Sequence, residues 1–332
     1  MNNHPKINYG KKGVLLVNLG TPDSTSWWDI RRYLKEFLSD TRVIEVNPFL
    51  WKIILNLFIL NFRPSKTAKA YKEIWMKKEN MSPLRYYTEM QTKKLKEKIA
   101  DKKIIVNFAM RYGNPSIRSV IEKLQKNGCE EIIVIPLYPQ YAAATSATVC
   151  DEVFRTLIRL RWQPSLQIIP HYESEPLYID ALVESIEKKI SKLDWKPDLI
   201  VASYHGIPKK YFDKGDPYHC YCQKTTRLIM EKFNKIPIQT TFQSRFGPQE
   251  WLQPYTDKAL EDLPKNGKKN ILVICPGFSS DCVETLEEIA IQGKNSFIKN
   301  GGVNFDLVPC LNDNESHINL LKHLVDKYIV RK

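Results

Sequence analysis

The chain has 332 residues, 43% hydrophobic and 26% charged, with 13 Gly, 20 Pro and 7 Cys, and its 50 basic against 37 acidic residues give a formal charge of +13. That length suggests about two domains, and the composition excludes a collagen-like, disulfide-framework or disordered chain. No apolar run reaches the roughly 18–20 residues that span a bilayer, the first twelve residues lack the apolar stretch of a signal peptide, and an odd cysteine count points to reduced thiols, so a cytoplasmic protein is expected.

In chain order, Val- and Ile-rich runs at 13–18, 104–108, 131–136, 198–203, 236–242 and 270–275 alternate with amphipathic stretches, the pattern of βαβ units and a parallel sheet. The loop after the first run reads Leu19-Gly20-Thr21-Pro22-Asp23, and Trp27, Trp28 and Tyr33 follow it. Residues 49–62 are apolar except for Lys52, Asn56 and Asn61. As one helix, this segment is too short to span a membrane, and it is either buried or laid against a greasy surface. Later run ends carry Met110-Arg111-Tyr112-Gly113, Leu137-Tyr138-Pro139-Gln140-Tyr141, Tyr204-His205-Gly206-Ile207-Pro208, Gln243-Ser244-Arg245-Phe246-Gly247 and Pro276-Gly277-Phe278-Ser279-Ser280-Asp281. Ligands of open α/β sheets bind beyond the carboxyl ends of strands, so these loops are where chemistry is expected.

A repeat is visible. Phe108-x-x-Arg111-Tyr112-Gly113 returns as Phe242-x-x-Arg245-Phe246-Gly247, 134 residues on. It suggests a duplicated half, with the division near 160–175 and a cleft between two sets of strand ends. The basic residues are dispersed, with no arginine-rich arm, which favours an anionic membrane surface or a carboxylate-bearing substrate over nucleic acid.

Dinucleotide, P-loop, H-E-x-x-H and G-x-S-x-G patterns are absent, which moves attention to strand-end His, Glu, Tyr and Arg. His205 follows an apolar run, and an imidazole titrating near neutrality accepts a proton or binds a metal; a histidine merely hydrogen-bonded beneath a loop is the plain alternative. Asp281-x-x-Glu284 reads as a capping box opening a helix, with Glu284 and Glu288 on one face. His219-Cys220-Tyr221-Cys222 lacks a zinc spacing.

Together, several segments resemble the ferrochelatases. They are Leu16-Val17-Asn18-Leu19-Gly20-Thr21-Pro22, Ser82-Pro83-Leu84, Met110-Arg111-Tyr112, Pro136 to Tyr141, Ser203 to Pro208, Gly215-Asp216-Pro217-Tyr218, Phe242 to Gly247 and Phe278 to Glu288, in order over residues 13–300. The resemblance implies an α/β chelatase fold: two similar Rossmann-like domains, each a parallel four-stranded sheet flanked by helices, at 1–165 and 166–314. The helix 315–332 is expected to pack on the first domain.

It further implies insertion of Fe2+ into protoporphyrin IX to form protohaem, the terminal step of haem biosynthesis. His205 and Glu284 would be the catalytic and metal-handling pair, and Glu288 the proton or metal path. Leu19, Tyr71, Arg111, Tyr112, Trp251 and Phe278 would meet the porphyrin. Fe2+ would be a substrate, with no permanently bound cofactor. Ala143 stands at the internal ligand position of members that carry a [2Fe-2S] cluster, and no cysteine follows Cys310, so no cluster is expected. Cys282 replaces a second histidine found in some members. The segment 49–62 lies near the lip through which the family meets membranes, implying peripheral membrane contact by a monomer or homodimer. A chelatase for another tetrapyrrole, such as coproporphyrin, and a non-catalytic haem carrier are the alternatives.

Overall fold

Lys11 to Gly20 pairs on both sides with other strands, and Val14, Leu15, Leu16 and Val17 within it are fully buried. A continuous apolar run of this kind marks the centre of a parallel sheet covered on both faces. In the computed structural model, which describes residues 8–169 and 171–329, β1 (Lys11–Gly20), β2 (Ile104–Tyr112), β3 (Cys129–Pro136) and β4 (Ser165–Ile168) form a parallel sheet in the order β2-β1-β3-β4. A second parallel sheet comprises β5 (Leu199–His205), β6 (Ile238–Gln243), β7 (Asn270–Ile274) and β8 (Asn304–Leu307), in the order β6-β5-β7-β8.

The two orders are identical, so the repeat read from the sequence lands on equivalent strands: its first copy ends β2 and its second ends β6. β4 and β8 are four-residue edge strands that alternate in burial instead of forming an apolar run, which is why the six-run reading passed over them. β4 straddles the division expected at 165/166, and its sheet ends at Ile168.

One apolar core joins the halves. Val14, Leu16 and Val106 of the first sheet belong to the same cluster as Ile200, Ala202 and Leu272 of the second. The helix Glu315–Tyr328 contributes Leu321 and Leu324 to that cluster and lies in the seam. It reaches the helix Pro83–Ile99 through a Lys98–Glu315 ion pair, and the cap of the helix Pro176–Ile190 through Lys327 and Glu175 at 2.7 Å. Its expected extension over 330–332 lies outside the described residues.

The apolar segment 49–62 is not one straight helix. A helix Pro48–Ile54 passes through a wide π-turn, Leu55–Ile59, into the helix Leu60–Ile74. Asn47 caps the start, accepting from the N–H of Phe49 at 3.0 Å, ahead of Pro48 in the first turn. Leu55 and Leu60 are buried, but Phe49 is 77% and Phe62 76% exposed, and Leu50, Leu57 and Phe58 also face outward. Burial is therefore confined to one stripe and the rest forms an apolar lip. Asn56 and Asn61 interrupt it, each amide donating back to a helix carbonyl, of Lys52 and Leu57, at 2.7 and 2.8 Å. No helix among the described residues is long and apolar enough to cross a membrane.

Candidate active site

His205 is the last residue of β5, at the carboxyl edge of the second sheet. Its Nδ1 lies 2.7 Å from the carbonyl oxygen of Gly206. A carbonyl only accepts, so Nδ1 carries a proton and Nε2 is the ring nitrogen left to exchange a proton or meet a metal. The Trp251 ring stands 6.5 Å from the imidazole, fixed by its indole N–H donating to the Phe246 carbonyl at 3.0 Å. The other side of Trp251 lines a cavity of about 190 Å³ with Phe212 and His219.

Glu284 opens a π-helix, Glu284–Gly293. The capping box expected from Asp281 and Glu284 is not made. Asp281 instead accepts from the Thr285 hydroxyl at 3.1 Å and from the Asn312 amide at 2.7 Å, which leaves the Glu284 carboxylate clear of the cap. Glu288 follows on the same helix and meets the end of β6. Its carboxylate accepts from Ser244 twice, from N at 2.7 Å and from Oγ at 2.5 Å. Burial pushes the Glu288 carboxyl above its ordinary range, against the opposing pull of the Ser244 hydroxyl and the charge of His205. Two carboxyl groups and an imidazole are thereby grouped at one strand-end edge.

Gln243 ties that group together. Its amide N–H₂ donates to the Glu284 carbonyl at 2.8 Å, while its oxygen accepts from the buried Ser203 hydroxyl at 2.7 Å. Ser244 adopts φ +65°, an uncommon backbone for a non-glycine residue and one that aims both its donors at Glu288. Sequence reasoning quoted both residues without giving them a role. The available signal was their place directly after the β6 run.

Glu284 also lines a narrow crevice with Leu19, Tyr71, Leu84 and Cys282, and Phe278 packs against the same cluster as Leu19. As it stands the crevice is too tight to hold a small molecule. Burial, reinforced by the Glu284 charge, pushes the Tyr33 and Tyr71 phenols well up, and both remain neutral donors. The Cys282 thiol is pushed up by burial and by Glu284, and it packs with Leu84 and Met110.

Arg111 and Tyr112, expected to touch the porphyrin, are closed off on the flank. The Arg111 guanidinium is buried against Asp40 and donates from Nε to the Thr148 carbonyl at 2.8 Å, and the fully buried Tyr112 donates its hydroxyl to Asp40 at 2.9 Å. Sequence could not reveal Asp40 as partner, because 71 residues separate it from Arg111. Replacing Asp40 by alanine leaves a buried cation unpaired and is expected to cost about 3 kcal/mol or more. Urea unfolding measures this, and a loss below about 1 kcal/mol would mean that the pair behaves as a surface ion pair.

Arg63, directly after the apolar segment, had no role assigned from the sequence. Its guanidinium lies 4.7 Å over the Phe246 ring, and one of its nitrogens is buried with no hydrogen-bond partner among the described residues. Burial lowers its pKa from the usual arginine range. No three His, Cys, Asp or Glu side chains among the described residues gather into a metal-holding group, and in the His219 to Cys222 motif Cys222 is buried while Cys220 is exposed.

Comparison with known proteins bears on this geometry. The ferrochelatase family model matches residues 11–329. A protein named ferrochelatase from Rhizobium meliloti (strain 1021) is 57% identical over 325 residues, covering 97% of this chain and 96% of that protein. One of the same name from Francisella tularensis subsp. tularensis is 52% identical over 328 residues, covering 98% of each. Among solved structures, SirB from Bacillus subtilis with Fe3+ superposes with a TM-score of 0.56 at 13% identity, covering 96% of this chain and 95% of that one. A sirohydrochlorin chelatase SirB in complex with cobalt gives 0.56 at 11% identity, covering 96% and 94%. The solved structures speak for the chelatase fold alone. The family match along nearly the whole chain, with relatives above half identity, goes further: this chain belongs to the ferrochelatases, the enzymes that insert a metal into a porphyrin on the way to haem.

Proposed function

We propose that the metal is Fe2+ and the porphyrin protoporphyrin IX, giving protohaem. The observation that carries the chemistry is the grouping of His205, with its free Nε2, and the Glu284–Glu288 pair at one edge of the cleft. Metallation replaces two pyrrole N–H protons by the metal, so the site must take up protons beside the ring. In this reading Nε2 of His205 accepts a pyrrole proton, Glu284 assists on the crevice side, and Glu288 passes charge toward β6 and solvent. Leu19, Tyr71, Trp251 and Phe278 grip the ring through apolar contact, and part of that binding energy bends it so that its nitrogen lone pairs face the metal. Arg63 meets a propionate, a charge-assisted contact open to its unpartnered guanidinium nitrogen. Arg111 and Tyr112 support the flank through Asp40. The two sheets, with their flanking helices, act as the two domains of the cleft, and no iron–sulfur cluster takes part.

The apolar lip favours a lipophilic ring, so kcat/KM is expected to be higher for protoporphyrin IX than for the more heavily carboxylated coproporphyrin. Parallel assays with both rings test the choice, and a preference for coproporphyrin would reassign the substrate. The same lip, on a chain of charge +13, suits peripheral contact with an anionic membrane. Binding to anionic vesicles is expected to weaken as salt rises, and Phe49→Ser with Phe62→Ser to weaken it about tenfold or more. Co-sedimentation unchanged by both treatments would remove the lip from membrane contact.

A further inference from the structure

The loop from Gly277 to Asp281 leads from β7 into the π-helix, so whatever fixes this loop fixes Glu284 just beyond it. Asp281 is buried, and no cation pairs with it among the described residues. Neutral donors hold its carboxylate instead: the Asn312 amide at 2.7 Å, the Thr285 hydroxyl at 3.1 Å and the Cys310 N–H at 3.3 Å. Asn312 binds at a second point, its amide oxygen accepting from the Asp281 N–H at 2.8 Å. This asparagine holds φ +47°, in the left-handed region.

The Asn312 carbonyl is itself fixed from two sides. It accepts from the amide of Gln91, fully buried on the helix Pro83–Ile99, at 2.9 Å, and from Nδ1 of the buried His317 at 2.6 Å. Gln91 also donates to the Ser280 hydroxyl at 2.9 Å. At the far end, the Thr285 hydroxyl that reaches Asp281 also accepts from the Cys282 N–H at 3.0 Å, closing the turn around Glu284.

A loop that needed only to pack has no use for such a set. A buried carboxylate without a counter-ion is costly, and a left-handed non-glycine residue adds backbone strain that persists only where the surroundings enforce it. Both features converge on the residues that set the start of the π-helix. We propose, resting on the role of Glu284 given above, that the Asn312–Asp281 pair is a positioning device for metal insertion. It fixes the turn from which Glu284 enters the crevice, and Gln91 holds that turn in register with the first sheet. These three residues touch no substrate and act through Thr285 and the first turn of the π-helix.

A charge swap in the full chain tests this. Asn312→Asp sets two carboxylates against each other, and Asp281→Asn sets amide against amide or deprives Thr285 and Cys310 of their acceptor. The double variant Asn312→Asp/Asp281→Asn restores every donor–acceptor match described above. Each single variant is expected to lose about tenfold or more in kcat, the scale of a misplaced reacting group, with the protoporphyrin dissociation constant within about twofold of wild type. The swap is expected to recover kcat to within about threefold.

Unchanged kcat in both single variants overturns the proposal. So does a swap variant that melts as wild type and binds porphyrin yet remains as slow as the singles, since Asp281 would then matter for its charge alone. If the single variants do not fold, the swap decides together with Asn312→Gly, which keeps the left-handed backbone and deletes the amide. A lowered kcat in Asn312→Gly supports the device and an unchanged one overturns it. A wild-type chain that binds porphyrin and inserts no metal contradicts the functional reading instead.

Discussion

Replacing His205 by alanine is expected to lower metal insertion by about 10²–10⁴-fold, the usual worth of a positioned acid–base group, while porphyrin affinity stays near wild type. The geometry behind this is specific. Nδ1–H donates to the Gly206 carbonyl at 2.7 Å, which orients the imidazole and leaves Nε2 for the chemistry, at the end of a strand that cannot shift without breaking its pairing with β6 and β7. Trp251 beside it stays in place when the imidazole is removed, because its own anchor is the Phe246 carbonyl. Binding, read from quenching of tryptophan fluorescence, and turnover should therefore separate. Loss of both would indicate a damaged fold, and loss of neither would take His205 out of the chemistry.

Gly20→Ala is expected to be the most damaging small substitution in the crevice lining, at about 4–5 kcal/mol or more. Gly20 has φ +115°, and a Cβ there would lie 1.8 Å from the Tyr112 carbonyl oxygen and 2.8 Å from its carbon. Both are backbone atoms of the paired strand, so no side-chain rotation relieves the contact, and β1 must part from β2 at the Gly20–Tyr112 register. Leu19 and Tyr112 move with it, which opens the crevice next to Glu284. Gly10→Ala is the control. It also has positive φ, at +82°, but nothing lies within 4 Å of the added carbon, and the expected loss is about 1–2 kcal/mol from conformation alone. Urea midpoints of the two variants give the comparison, and equal losses would show that the Tyr112 contact yields.

Much of the scaffold is legible in the sequence because central parallel strands are apolar on both faces. Val14 to Val17, Ile132 to Ile135 and Ile271 to Ile274 announce β1, β3 and β7 without help from tertiary structure. The edge strands β4 and β8 are short and half exposed, and leave no such trace. His205 and Glu284 stand out because each closely follows a strand run. Their supports do not. Gln243 and Ser244 act on a helix more than forty residues away, and whether an arginine is paired depends on a partner brought up by folding, as Asp40 is to Arg111, whereas a buried Arg63 nitrogen finds none among the described residues. The π-helix is equally silent, since its i to i+5 bonding has no residue period of its own in so short a segment. The segment 49–62 was ambiguous for a physical reason: an all-round apolar helix fits a core and a greasy surface alike, and only the burial of Leu55 and Leu60 beneath the exposed Phe49 and Phe62 decides its orientation.

The most direct test is an anaerobic assay in which the purified full chain is mixed with Fe2+ and protoporphyrin IX and the porphyrin-to-haem absorbance change is followed. Repeated turnover of protoporphyrin into protohaem is the predicted result. Tight porphyrin binding with no metal inserted would contradict it, and would leave His205, Glu284 and Glu288 lining the cleft of a tetrapyrrole carrier.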